Sequence, residues 1–227
     1  MENFDQDSIL EKYIQSVCSE EDPVLAELNR FTHLKIAHPQ MISGQVQGKT
    51  LEMLSRMVNP GKILEIGTFT GYSAICLARG LKPGGKLISI EINEELRQKC
   101  LYFFEKAGLS DKIEIINGDA LDVIPSLNHK FDIVFIDGEK EQYINYYEIT
   151  MNKIREGGFI IADNTLWGGK VLDPPEKWDS ATSAIISFNR HVQNDPRVEN
   201  VLLPLRDGLS LIRKCENVNI GTMVHSN

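Results

Sequence analysis

Five short apolar runs, KILEIG, KLISIEI, KIEIIN, FDIVFID and GFIIADN, recur between residues 62 and 164 with helical stretches between them. Strands that alternate with helices pair in parallel through right-handed crossovers, which places helices on both faces of one sheet. Runs this continuously apolar suit strands buried on both sides. The closing segment NVLLPLRDGLSLIRK reads as two strands turned at Asp207-Gly208, an antiparallel pair at one edge. Ahead of the first run, Ile9, Tyr13 and Val17, then Leu25, Leu28 and Leu34, then Leu51 and Leu54 recur at helical spacing, with breaks at Pro23 and Pro39. That pattern predicts a helical opening of about three pieces. No internal repeat or long linker divides the 227 residues, so the chain reads as one domain: a helical cap over 1–58, an α/β core over 59–214 and a tail without clear period over 215–227.

Composition narrows the partners. Acidic residues outnumber basic ones by 32 to 24, a formal charge of −8, and such a chain does not gather nucleic acid by its net field. A small substrate is the expectation. No run reaches the roughly 20 apolar residues of a membrane span, and MENFDQDSIL lacks the basic flank and apolar core of a signal peptide. A soluble cytoplasmic protein is expected. Cys18, Cys76, Cys100 and Cys215 form no CxxC pair, so they read as reduced, mostly buried thiols rather than zinc ligands or disulfides. His33, His38, His129 and His191 show no ligand spacing and are assigned to the surface or to helix ends.

In an open α/β sheet the ligand crevice lies beyond the carboxyl ends of the strands. Here each of the five apolar runs ends near an acidic group: Glu65, Glu91, Asp119, Asp137, and Asp163 with Asn164. Any one of them could be a helix cap or Asx-turn; five at one edge point to a site. The first turn, E-I-G-T-F-T-G-Y-S, lets the backbone pass close to a ligand at Gly67 and Gly71 but lacks G-x-G-x-x-G, so phosphate cradling is poorly supported. A cofactor with a positive centre, an amino group and a ribose suits acidic walls better, and S-adenosylmethionine has those features. Glu91 stands where a carboxylate accepts both ribose hydroxyls, a feature shared with NAD-binding folds.

Asp137, Asp163 and Asn164 offer three oxygen ligands from neighbouring strand ends, with no His or Cys close by in sequence. This suits a hard divalent cation, Mg²⁺ first and Ca²⁺ or Mn²⁺ as alternatives, and leaves room for both oxygens of a vicinal diol. Lys140 follows Asp137 by one helical turn, which brings its amine to the same place as a general base. A neighbouring cation would favour the neutral amine. Trp167 and Trp178 are the aromatic candidates for a pocket wall, Trp167 favoured by its nearness to Asn164.

Taken together and in order, EIGTFTGYS, ISIEIN, NGDA, FIDGEKEQY and ADNTLWGG resemble the cation-dependent class I O-methyltransferases, the caffeoyl-CoA and catechol O-methyltransferase group with its bacterial members. The resemblance runs from about Met41 to Lys214. It implies a Rossmann-like sheet of seven strands with the last antiparallel, S-adenosylmethionine as methyl donor, a cation that holds the acceptor's two oxygens, and a homodimer. By likeness, Glu65, Gly67 and Ser73 would line the donor's methionine part, with Ser43 and Met41 closing over it. Glu91 would hold the ribose and Asp119 the adenine edge. Asp137, Asp163 and Asn164 would bind the metal, Asp137 also lying near the donor's amino group, and Lys140 would be the base.

Three departures stand out. Gly138 replaces a usual Ala-Asp pattern between Asp137 and Lys140, Arg206 stands where glycine is usual before Asp207-Gly208, and Gln47 and Lys49 replace part of a usual Glu-Gly-Gln. The expected reaction is methylation of one hydroxyl of a catechol-like phenolic small molecule. A hydroxylated uridine of tRNA is the alternative acceptor within the same likeness. A cofactor-binding scaffold without turnover and a dehydrogenase are the readings outside it.

Overall fold

Alternate residues of a strand face opposite sides of a sheet, and where helices cover both sides both sets must be apolar. The strands are β1 (Lys62–Ile66), β2 (Lys86–Glu91), β3 (Ile113–Asn117), β4 (Phe131–Ile136), β5 (Ile154–Ala162), β6 (Val198–Leu203) and β7 (Leu209–Lys214). In the computed structural model, which describes residues 3–216, they form one sheet in the order β3-β2-β1-β4-β5-β7-β6. β1 to β5 are parallel, while β7 runs antiparallel to both β5 and β6. The turn at Asp207-Gly208 joins β6 to β7, as the turn chemistry predicted.

The helices are α1 (Asn3–Val17), α2 (Pro23–Lys35), α3 (Gly44–Val58), α4 (Tyr72–Ala78), α5 (Arg97–Lys106), α6 (Ala120–Ser126), α7 (Tyr143–Met151) and α8 (Ser180–Gln193). A short 3-10 turn, Pro39–Met41, separates α2 from α3. Asp22 caps α2 by accepting the Val24 N–H at 2.9 Å, and Pro23 occupies the first helical position, where its missing N–H costs nothing. One core gathers Leu28, Leu51, Ile63, Ile75, Phe104 and Phe135 from α2 to α5 and one face of the sheet. The other gathers Leu64, Val134, Tyr143, Tyr147, Ile185 and Phe188 from α7, α8 and the opposite face. Adjacent residues Ile63 and Leu64 therefore lie in different cores.

β3 departs from the sequence expectation of full burial. It is an edge strand among the described residues, with Glu114 exposed between buried Ile113 and Ile115. Of the four free thiols, Cys76 and Cys100 are buried and Cys18 and Cys215 half-buried. The tail assigned to 215–227 lies, from residue 217 on, outside the described residues. Among the described residues no helix is long and apolar enough to cross a membrane.

Candidate active site

The parallel ladder runs one residue past each strand. Gly118 N–H donates to Glu91 O, Gly67 N–H to Ile90 O, Asp137 N–H to Ile66 O and Asp163 N–H to Ile136 O, all at 2.9–3.0 Å. Each bond fixes the residue after a strand end at the carboxyl edge. The strand order then sets out a row: Asp119 after β3, Glu91 at β2, Gly67 after β1, Asp137 after β4 and Asp163 after β5. With strands about 4.8 Å apart, five ends span roughly 19 Å. The sequence runs outward from β1 in both directions, so the middle of the row is the switch point at which α/β sheets open a crevice.

A cavity of about 770 Å³ lies along this row. Its wall includes Met41, Gly67, Glu91, Asp119, Asp137, Lys140, Asp163, Asn164 and Trp167 among the residues singled out in the sequence. Trp178 is elsewhere, its Nε1 donating to Asp173 O. Ser43, Glu65 and Ser73 are also off the wall. Ser43 is buried at the start of α3. Glu65 lies beneath the row, where register sets it beside Ser89 of β2. Ser73 Oγ donates to Glu65 Oε1 at 2.6 Å, and Ser89 Oγ donates to Oε2. Burial pushes the Glu65 carboxyl up to about 8; the two hydroxyls oppose that rise, and the charges of Asp137 and Glu91 add to it.

Glu91 is buried and accepts the Phe69 N–H at 2.7 Å and the Asn93 N–H at 2.8 Å, one on each oxygen. Two amides fix the carboxylate plane and leave a lone pair on each oxygen for a ligand. Asp119 caps α6 through the Leu121 N–H at 2.8 Å and faces the cavity as well. Gly67 is needed for the crowding at the switch point. Its φ is +93°, and a Cβ there would meet Asp137 O at 2.0 Å.

At the β4–β5 end, Lys140 Nζ donates to Asp137 Oδ1 at 3.1 Å, to Gly138 O at 3.1 Å and to Tyr143 Oη at 2.9 Å. Tyr143 Oη in turn donates to Asp163 O at 3.0 Å, and burial holds its phenol well above the ordinary value, hence protonated. Asp163 is 4% exposed; Gln47 donates to its Oδ2, and the Asn164 N–H donates to its Oδ1 at 2.7 Å. Burial raises the Asp163 carboxyl and the charge of Asp137 raises it further. Asn164 adopts φ +57° and directs Nδ2 to Asp207 Oδ2 at 3.3 Å, leaving Oδ1 as the atom free to meet a ligand. Two carboxylates and a carboxamide oxygen on one cavity wall fit a hard cation and offer nothing to a soft one.

Another carboxylate and histidine cluster, Glu148, His191 and Asp195, brings its ligand atoms within 4.8 Å. Arg197 bridges Glu148 and Asp195 at 2.8 and 2.6 Å, so both carboxylates are already paired with a cation. Tyr143, Gln47 and Asp207 are the site residues that motif reasoning gave no role. The i, i+3 spacing of Tyr143 from Lys140 was a usable signal. The contacts of Gln47 and Asp207 cross from distant segments and left none.

The pattern shared by the O-methyltransferase family matches residues 15–215. The chain belongs to that family. Among its relatives, caffeoyl-CoA O-methyltransferase of Eucalyptus gunnii is 34% identical over 93% of this chain and 89% of that one. Caffeoyl-CoA O-methyltransferase 5 of Nicotiana tabacum is 35% identical, covering 92% of each. Among solved structures, the O-methyltransferase TomG of Streptomyces achromogenes, in complex with SAM, superposes with a TM-score of 0.84 at 30% identity, over 91% of this chain and 96% of that one. The O-methyltransferase of Bacillus cereus in complex with SAH gives the same score and identity over 91% and 97%. This O-methyltransferase shares its fold with the two solved structures, and its row of strand ends lines the cavity described above.

Proposed function

We propose that this O-methyltransferase moves the methyl group of S-adenosylmethionine to one hydroxyl of a catechol-like phenolic acceptor, with a divalent cation at Asp137, Asp163 and Asn164. One observation carries the reading: carboxylates able to hold a ribose and an amino group share a single cavity with an oxygen-only donor set and a lysine. The complexes of TomG with SAM and of the Bacillus cereus enzyme with SAH support the donor. The caffeoyl-CoA relatives support a phenolic acceptor.

Glu91 would accept the ribose hydroxyls with the lone pairs its two amides leave, and Asp119 would accept from the base. Asp137 would hold the donor's ammonium from the switch point. Asp137 would also join Asp163 and the Asn164 carboxamide oxygen in holding the cation, which when bound lowers the pKa of a bound hydroxyl and stabilises its oxyanion. Lys140 Nζ is the base. As a neutral amine it keeps two N–H groups, enough for Gly138 O and Tyr143 Oη, and turns its lone pair to the acceptor hydroxyl. Tyr143, committed to Asp163 O, holds that amine in place. The walls fix nucleophile, methyl carbon and sulfur in line, and this positioning supplies much of the acceleration.

The test is a methyl-transfer screen with labelled donor over catechols and their monohydroxy analogues, with Mg²⁺ and with a chelator. Transfer to the diols alone, abolished by the chelator, supports the assignment. Transfer that ignores both the second hydroxyl and the chelator refutes it.

A further inference from the structure

The β6–β7 turn is welded to the loop that carries Asp163 and Asn164. Thr165 N–H donates to Gly208 O at 3.1 Å and Leu166 N–H to Asp207 O at 2.8 Å. The Asp207 carboxylate accepts from Gly168 N–H and from Asn164 Nδ2. From the same turn Arg206 reaches the other way. Its Nη1 donates to Ile42 O at 2.9 Å and to Ser43 O, the two residues that lead from the Pro39–Met41 turn into α3. Arg206 and Met41 both line the cavity, and Gln47, in the first turns of α3, donates to Asp163.

Two local features oppose this contact. Arg206 has φ +48°, the left-handed region that glycine enters without strain. Its guanidinium also sits at the start of α3, the helix end that repels cations. Local costs of this kind persist where the surrounding structure requires the contact, and they concentrate at ligand clamps.

We propose that Arg206 is a positioning residue, a clasp that fastens the 41–47 segment of the helical cap to the β6–β7 turn and so closes the cap over the cavity with Gln47 on Asp163. The bonds Arg206 makes are to backbone carbonyls, so its grip does not depend on the side chains of Ile42 and Ser43. Binding of the donor is coupled to the clasp because Met41 and Gln47 belong to both. This last step rests on the methyl-transfer reading; the clasp itself does not.

The experiment is hydrogen–deuterium exchange on the full chain, followed through peptides covering residues 39–48, for the unsubstituted protein, Arg206→Ala and Arg206→Gly. Both variants should exchange about ten-fold faster in this segment, equivalent to about 1.4 kcal/mol of lost closure, with the central strands unchanged. Arg206→Gly relieves the left-handed strain, so its melting temperature should equal or exceed that of Arg206→Ala. The affinity for S-adenosylhomocysteine, measured by calorimetry, should fall about ten-fold in both. Exchange within two-fold of the unsubstituted protein in both variants overturns the clasp. So does acceleration spread evenly over the chain, which would make Arg206 a matter of global stability. If the unsubstituted protein binds no S-adenosylhomocysteine, the methyl-transfer reading fails while the exchange data still decide the clasp.

Discussion

Replacing Glu65 by Gln isolates the electrostatic cost of the carboxyl beneath the row of strand ends. The side chain is fully buried and titrates near pH 8 rather than 4.5. Between those values the folded protein keeps a proton that the unfolded chain has released. Stability therefore falls as pH rises, by about 1.4 kcal/mol per pH unit, and levels off above the folded value. The whole displacement corresponds to roughly 5 kcal/mol at the upper limit. A carboxamide removes it without emptying the space. Its oxygen can accept from Ser73 Oγ, and its N–H₂ can donate to Ser89 Oγ, whose own hydroxyl then turns to Thr68 Oγ1, 2.5 Å away. Urea denaturation of both proteins from pH 5 to pH 9 reads the difference directly. Glu65→Gln should match the unsubstituted protein near pH 5 and exceed it by a few kcal/mol at pH 9. A gap that stays constant over this range, or opens toward acid instead, would show that Glu65 is ionised in the fold and that the reasoning from burial is wrong.

Asp163→Ala should lower cation-dependent turnover by roughly a hundred-fold or more while sparing most S-adenosylhomocysteine binding in calorimetry; equal loss of both with the fold intact would mean the cation set is misassigned. Lys140→Met should lower kcat by about 10²–10⁴ with little change in the acceptor's KM, whereas a change in KM alone would leave Lys140 a binding residue. Gly67→Ala sets a methyl against Asp137 O, at 2.0 Å in the present backbone, and requires left-handed geometry of alanine. It should cost about 2 kcal/mol or more in stability and weaken donor binding, and a melting temperature within one degree of the parent would contradict the crowding. Glu91→Gln keeps the size but turns an N–H₂ toward Phe69 N–H or Asn93 N–H, so donor affinity should fall at least ten-fold, measured by the same calorimetry.

Much of the fold was legible because parallel sheets announce themselves. KILEIG and FDIVFID are apolar at consecutive positions, as burial on two faces demands, and Asp207-Gly208 marks the turn between antiparallel β6 and β7. The exception, β3, reads like its neighbours in sequence and differs only through its place at the edge. At the site, acidic residues after strands could be found by eye, since strand ends and crevice coincide in this architecture. Glu65 shows the limit of that rule: one residue earlier in its strand than Gly67's neighbour Ile66, it turns into the core and bonds Ser73 and Ser89 instead of reaching the cavity.

The order of residues along the chain thus determined which side chains stand at the carboxyl edge, because hydrophobic period and strand ends are local properties. It did not determine their neighbours. That Gln47 meets Asp163, that Tyr143 joins Lys140 to the Asp163 carbonyl, and that Arg206 grips the carbonyls of Ile42 and Ser43 were decided by tertiary structure. Apart from the i, i+3 step between Lys140 and Tyr143, those contacts join segments whose separation in sequence carries no period, and only the packing of cap, sheet and turn brings their donors within bonding distance.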